Sequence, residues 1–310
     1  MKNERKTFKD VLKYVKSKPK QKVAIACAAD EAVLKAAELA YCEGMLDSVL
    51  FDSEEKIKKT ALATGIDIDK FKIVNIGNDR EAAAMAVRSV KINETQILMK
   101  GHLSTSMFLK AVLDKECGLR KSKLLSHIQI FECPITARIK MLSDGGMNLY
   151  PKSEELYYIT ANAISAYVDV CGRTPNVALI SAYNYSTPHL PSTTDMSSLA
   201  FEMKASDKYG NNVNINGPMT LDVAVSKKAA DKKMIGHAGA GDADIFIVPN
   251  IETGNLLGKS LMYFSNAASA GLITGAARQV IMLSRADDHQ TKLNSMAIGC
   301  LLALAENENQ

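Results

Sequence analysis

The chain has 310 residues, 47% hydrophobic and 23% charged, with a formal net charge of +4. That length and composition suit one large or two ordinary α/β domains with a substantial core, and they exclude disordered and fibrous classes. The mild positive excess gathers in a charged, amphipathic first helix (Phe8, Val11, Leu12, Val15). With no tryptophan and few aromatic residues to stack bases, no nucleic-acid partner is expected.

From Lys22 onward, apolar runs at 23–26, 48–51, 71–74 and 97–99 alternate with segments of helical period at 31–43, 54–64, 80–90 and 105–115. Short connections between such runs imply parallel βαβ units. Further apolar runs at 126–132 and 139–142 follow, the second leading into Ser143-Asp144-Gly145-Gly146, the clearest candidate domain boundary. Beyond it come a long helix from Ser153 to about Val170, closed by Gly172 and Pro175, and a buried strand at 177–180. A polar loop at 183–194, a helix through Met203, an Asn/Gly-rich segment at 210–217 and a helix after Pro218 lead to a strand at 244–248. The chain then gives a helix, a small-residue turn, a strand at 280–283 and a last helix at 287–306 with the apolar stripe Leu293, Met296, Cys300 and Leu304. The fold expected is α/β: two lobes of three-layer α/β/α architecture with a cleft between them. The first lobe takes 1–146 plus about 271–310, on which the last helix packs back, and the second takes 147–270.

The basic N-terminus lacks the apolar stretch of a signal peptide. No window approaches eighteen uninterrupted apolar residues, so no membrane partner is expected. Cys27, Cys42, Cys117, Cys133, Cys171 and Cys300 are scattered, mostly in apolar runs without CxxC spacing, as reduced cytoplasmic thiols are. The histidines have no metal-binding spacing.

Chemistry gathers where strands meet helices. Gly254-Asn255-Leu256-Leu257-Gly258-Lys259 follows the strand IFIVPN and opens a helix with the apolar stripe Leu257, Leu261, Phe264 and Ala268. Asn255 and Lys259 share the opposite face, as a solvated pair or as anion contacts near a helix N-terminus. Ser284 and Arg285 emerge at the end of an apolar strand, where a guanidinium clamps phosphate or stabilises an oxyanion. Asp287 fits two tasks there, base or helix cap. Met99-Lys100-Gly101-His102, with Ser104 and Thr105 opening the next helix, is a second anion corner or a solvated strand end. Cys27, at the end of the first strand, is a nucleophile or a buried thiol. Gly236–Gly241 precedes its strand and so fails as a dinucleotide loop; a flexible loop near the cleft is expected.

Read together, ILMKGHLSTSMFLKAVL, LLSHIQIFE, GGMNLYP, GPMTLDVAVSKKAA, GDADIFIVPNIETGNLLGK and VIMLSRADDHQTKLNSMAIGCLLA resemble the phosphate acetyl/butyryltransferase family, and its butyryltransferase branch more than its acetyl branch. The resemblance runs through nearly the whole chain. It implies exchange of a short or branched acyl group between acyl-CoA and inorganic phosphate, by direct thiol or phosphate attack without an acyl-enzyme. Coenzyme A is then a co-substrate, with no tightly bound cofactor and no metal, and the protein is a homo-oligomer, most simply a dimer. The implied fold is shared with two-lobed isocitrate and isopropylmalate dehydrogenases. By the same resemblance Arg285, Ser284 and Asp287 carry the chemistry. Gly254, Asn255 and Lys259 line the phosphate or coenzyme side, with Lys100, Gly101 and Thr105 contributing from the facing lobe.

The chain departs from the family pattern at four positions. Thr291 stands where the acetyl branch has its presumed base, Gly258 where an aromatic residue precedes the lysine, Asn184 where an acid is expected, and Gln279 where proline is common. They motivate a second reading, a non-catalytic or divergent paralogue that binds coenzyme A or acyl phosphate. A decarboxylating dehydrogenase would need metal-binding aspartates and a strand-following nucleotide loop, which the sequence does not supply.

Overall fold

A computed structural model describes residues 4–206, 208–209 and 212–308. The chain divides into two compact units. An N-terminal unit comprises Phe8–Ser122 and the described residues from Ser269 onward; a central unit comprises the described residues up to Thr7 and Lys123–Ala268.

The N-terminal unit starts with α1 (Phe8–Lys16), β1 (Gln21–Ala26), α2 (Glu31–Cys42), β2 (Leu46–Asp52), α3 (Glu54–Thr64), β3 (Lys72–Asn75), α4 (Asp79–Lys91), β4 (Ile97–Lys100) and α5 (Thr105–Val112). Its helices begin where a short polar side chain accepts a free N–H. Asp30 accepts from Val33 N at 3.0 Å, Asn78 from Arg80 N and Glu81 N, and Ser104 from Met107 N at 3.2 Å. Val23 and Ile25 on β1, Leu46 and Leu50 on β2, and Ile97 and Leu98 on β4 are buried, each stabilising by roughly 1.5–3 kcal/mol.

The central unit follows with β5 (Ser126–Cys133), β6 (Arg138–Ser143), α6 (Ser153–Cys171), β7 (Asn176–Ile180), α7 (Pro191–Ala205), β8 (Asn214–Met219), α8 (Leu221–Val225), α9 (Lys227–Lys232), β9 (Ile245–Ile247) and α10 (Ile251–Ser265). Its strands run in the order β5-β6-β9-β7-β8, with β5 antiparallel to β6 and the others parallel. The chain then returns to the N-terminal unit with β10 (Ser269–Thr274), β11 (Gln279–Ile281) and α11 (His289–Glu308). The strand order there is β3-β2-β1-β4-β11-β10, parallel except for β10.

Three sequence expectations change. The boundary expected at Gly145-Gly146 falls inside the central unit, because β5 pairs with β6 and β6 with β9. Those glycines end a strand, and the chain crosses between units near Ser122. The supposed small-residue turn contains β10, and β8 begins within the Asn/Gly-rich segment; Gly210 and Asn211 of that segment lie outside the described residues. Strand β8 is an edge strand, where the Gly217-Pro218 pair is tolerated. Finally α11 is not one-sided. Every residue from Thr291 to Cys300 is buried, as the helix packs on α1, α2, β10 and β11. No helix among the described residues is long and apolar enough to cross a membrane.

Candidate active site

Strand β1 has β2 on one side and β4 on the other, so connections leave this point in opposite directions. Open α/β sheets place ligands outside the carboxyl ends of strands at such a switch point. Here those ends carry Lys100 and Gly101. Ala26 is level with Lys100, and on the far side of β4 Ile281 is level with Met99. Gly101 turns against the end of β1: its N–H donates to Ala26 O at 2.8 Å, and a Cβ on it would lie 2.1 Å from Cys27 O. The turn folds the Lys100 ammonium inward, where it donates to Gly101 O (3.3 Å) and Leu103 O (3.2 Å). Lys100 is only 4% exposed. Burial, then the Arg285 and Lys292 charges, push it below the ordinary lysine value, against the pull of Asp30 and Asp287. Thr105, the first residue of α5, is exposed, and His102 Nδ1 lies 3.5 Å from Asp30 Oδ2. Cys27 is a buried thiol pushed up to about 12 by burial and by Asp79 and Asp52, which suits packing and not attack.

After β11, Met282 and Leu283 stay buried and Ser284, Arg285 and Ala286 come out to the surface. The turn is tied locally. Ser284 N–H donates to Asp287 Oδ2 at 2.8 Å, Asp287 N–H to Ser284 O at 3.3 Å, and Ala286 N–H to Ser284 Oγ at 3.3 Å. The cap of α11 is the next residue: Asp288 Oδ1 accepts from Thr291 N at 2.8 Å. Asp287 therefore does not cap; it braces the Ser284–Asp287 turn. Below the turn, Lys292 donates to Asp287 O while only 3% exposed. Its ammonium is pushed down by burial, against the opposing pull of Asp30, Asp287 and Asp288. Thr291 donates its N–H to the cap and offers no titratable group.

In the central unit, Asn250 caps α10 by accepting from Thr253 N at 2.9 Å. The helix does not bury the expected apolar stripe alone. Leu257 and Leu261 pack on the core, but Phe264 is 90% exposed and Ala268 is exposed too. The fully buried positions are Gly254 and Gly258. A Cβ on Gly254 would lie 2.6 Å from Gly145 Cα, and one on Gly258 2.0 Å from Gln129 Oε1. The glycine before Lys259 is thus a packing contact: Gln129 donates to Gly258 O at 3.2 Å, and a larger residue there would have to displace the end of the Gln129 side chain. Asn255 is exposed and reaches Gly145 O at 3.5 Å, and Lys259 is half-buried.

The loop beneath α10 is ordered by Asp144, 2% exposed, whose carboxylate accepts from His127 N, Gly146 N, Met147 N and Asn148 Nδ2 at 2.6–2.9 Å. Asn184 Oδ1 accepts from Thr220 N (2.8 Å) and Thr220 Oγ1 (3.1 Å), so the amide oxygen takes donors that an acid would also have taken. Gly236–Gly241 sits elsewhere. Gly241 N–H donates to Val223 O, and Asn176, at the start of β7, donates to Asp242 O. That loop packs at the amino ends of the central strands, opposite the α10 end.

Six residues singled out in the sequence thus collect on the N-terminal unit (Lys100, Gly101, Thr105, Ser284, Arg285, Asp287), and Gly254, Asn255 and Lys259 collect at the start of α10. Sequence reasoning missed Asp30, Lys292 and Asp144. Asp144 was legible as the acid before paired glycines; Lys292 was hidden by the assumption that a helix keeps one wet face.

Comparison with known proteins identifies the family. The profile described as phosphate acetyl/butaryl transferase matches residues 7–86 and 78–300. The chain is 39% identical to phosphate butyryltransferase of Clostridium acetobutylicum, covering 96% of this chain and 98% of that one. It is 37% identical to the probable phosphate butyryltransferase of Bacillus subtilis, covering 94% and 96%. A crystal structure of a branched-chain phosphotransacylase from Enterococcus faecalis V583 superposes with a TM-score of 0.81 at 29% identity, covering 91% and 99%. A 4-hydroxythreonine-4-phosphate dehydrogenase from Klebsiella pneumoniae, at TM-score 0.53 and 11% identity over 92% and 99%, shares the fold alone. The chain belongs to the phosphate acetyl/butyryltransferase family.

Proposed function

We propose that the protein is a phosphate acyltransferase, exchanging a short or branched, butyryl-like acyl group between acyl-CoA and inorganic phosphate. The observation that carries this reading is the collection of Arg285, Ser284 and buried Lys100 at a switch point, in a chain 39% identical to a phosphate butyryltransferase. Arg285 meets the charge that develops on the attacked carbonyl and the departing phosphate, and Ser284 adds a hydroxyl donor. The same cations favour the thiolate of coenzyme A, whose thiol is otherwise largely protonated at neutral pH. Thr105 at the start of α5 offers a hydroxyl to the anion, and Gly101 holds Lys100 in place. At the start of α10, Gly254 lets the helix sit tightly on its loop, and Asn255 and Lys259 contact the coenzyme or its phosphates. Coenzyme A serves as co-substrate and no tightly bound cofactor takes part.

Thiol release from acyl phosphate and coenzyme A, followed with a thiol reagent, tests the reading. Tight coenzyme A binding without turnover on acetyl, butyryl or isobutyryl phosphate would make the protein a binding paralogue instead. Comparing kcat/KM along the acyl series then fixes chain preference, at about 1–3 kcal/mol per methylene.

Asp287 is assigned the turn, not the thiol proton. Asparagine keeps an oxygen for the Ser284 N–H, so Asp287→Asn is expected to lose less than about tenfold in kcat. A general base contributes roughly 10²–10⁴-fold, so a loss of that size together with the disappearance of the acid limb of the pH profile would restore the base role.

The protein is also proposed to be a cytoplasmic homodimer. Six free cysteines suit a reducing compartment, and Leu256, Tyr263 and Phe264 of α10 are 71%, 70% and 90% exposed, an apolar surface that association would bury. Sedimentation velocity is expected to give twice the chain mass for the wild type and a shift toward monomer for Phe264→Asp. A monomeric wild type would end the proposal.

A further inference from the structure

Lys292 and Lys100 are each almost wholly removed from water, 3% and 4% exposed, on neighbouring elements of one unit. Burying an ammonium group is costly unless an opposite charge meets it directly. Neither has such a partner among the described residues. Lys100 donates to the carbonyls of Gly101 and Leu103, and Lys292 to that of Asp287. The carboxylates of Asp30 and Asp287 act on both through space, and Asp288 acts on Lys292 while capping α11. Arg285 and Lys292 meanwhile repel Lys100. Packing alone does not ask for a lysine at 292. Leu293, Met296 and Ile298 fill neighbouring positions of the same helix, and a methionine would fill this one. A buried cation held near other cations at a strand's carboxyl end fits a site prepared for an anion.

We infer that Lys292 is a positioning residue for an anionic phosphoryl group bound at the end of β4. It pins the Ser284–Asp288 turn from below through the Asp287 carbonyl, so that Ser284 and Arg285 are presented in one geometry. Its charge joins those of Lys100 and Arg285 in the field that the anion meets. This rests on the reading that the corner receives the phosphate of the acyl-transfer reaction.

Lys292→Met removes the charge and keeps the volume; Lys292→Arg keeps the charge. Lys292→Gln, which retains a donor for the Asp287 carbonyl, serves if the methionine variant does not fold. The measurements are KM for inorganic phosphate and for coenzyme A separately, and the thermal stabilisation of the protein by inorganic phosphate. The neutral variants are expected to lose roughly tenfold or more in kcat/KM for phosphate, as loss of a charged contact does, with KM for coenzyme A within about twofold. Their stabilisation by phosphate should fall, and Lys292→Arg should recover most of both. The inference is overturned if phosphate does not stabilise the wild type, if the neutral variants match it, or if KM for coenzyme A rises as much as that for phosphate. Lys292-dependent stabilisation by phosphate in a wild type that transfers no acyl group would leave the inference standing and remove the acyltransferase reading.

Discussion

Replacing Arg285 with alanine is expected to lower turnover by roughly two orders of magnitude or more, the usual loss when a preorganised oxyanion donor is removed. The fold should survive. Arg285 is exposed, and its guanidinium makes no hydrogen bond or ion pair among the described residues. Its turn is held instead by Asp287 and Lys292. A side chain that nothing in the scaffold needs, set at the tip of a buried strand, is free to act on a substrate. Arg285→Lys should recover only part of the loss, because an ammonium is a point charge without the planar pair of donors that matches phosphate or carboxylate. Steady-state rates with an unchanged circular dichroism spectrum check the expectation. Turnover equal to wild type in Arg285→Ala would remove the centre of the proposed mechanism.

Gly101→Ala is expected to be the most damaging small substitution in the same corner. The new methyl would meet Cys27 O at 2.1 Å and Ala26 O at 2.7 Å, and both are main-chain atoms of the neighbouring segment that cannot swing aside. Overpacking of this kind costs about 1–3 kcal/mol, and the upper end is expected where backbone must move. For a unit of this size that lowers the melting temperature by about 5 °C or more. Lys100 would be displaced as well, so activity should fall beyond what stability explains. Gly77→Ala is the control: nothing lies within 4 Å of its Cβ position, and melting temperature and turnover should be unchanged. If Gly101→Ala melts with the control, the close approach at β1 does not exist in solution.

Much of this was legible because local patterns decide local structure. The apolar runs at 23–26, 48–51 and 97–99 became β1, β2 and β4, and the Asp30, Asn78 and Ser104 caps stand where polar residues precede helical periodicity. What periodicity could not report was the number of neighbours around an element. In α11 the predicted stripe of Leu293, Met296, Cys300 and Leu304 is buried, but so is every residue from Thr291 to Cys300. Lys292 lies outside that stripe, so the periodicity gave no sign of its burial. In α10 the reverse happened. Gly254 and Gly258, outside the expected stripe, are buried, and Phe264, expected within it, faces water. Strands β8 and β10 escaped notice because glycine, proline and small residues weaken the strand signal. The aspartate roles were ambiguous in sequence because Asp287 and Asp288 are adjacent; only the hydrogen bonds separate brace from cap.

The N-terminal unit draws its strands from both ends of the chain, with β11 hydrogen-bonded to β4 across the span of the entire central unit. On the ribosome, β1 to β4 emerge with one flank of their sheet unfilled and with the side of α2 that α11 covers still bare. The central unit, nearly contiguous in sequence, can close first. Lys100 waits throughout for the residues that give it its surroundings, since Arg285 and Lys292 follow the whole Lys123–Ala268 span. The corner proposed for the chemistry is therefore absent from any nascent chain that stops short of Lys292.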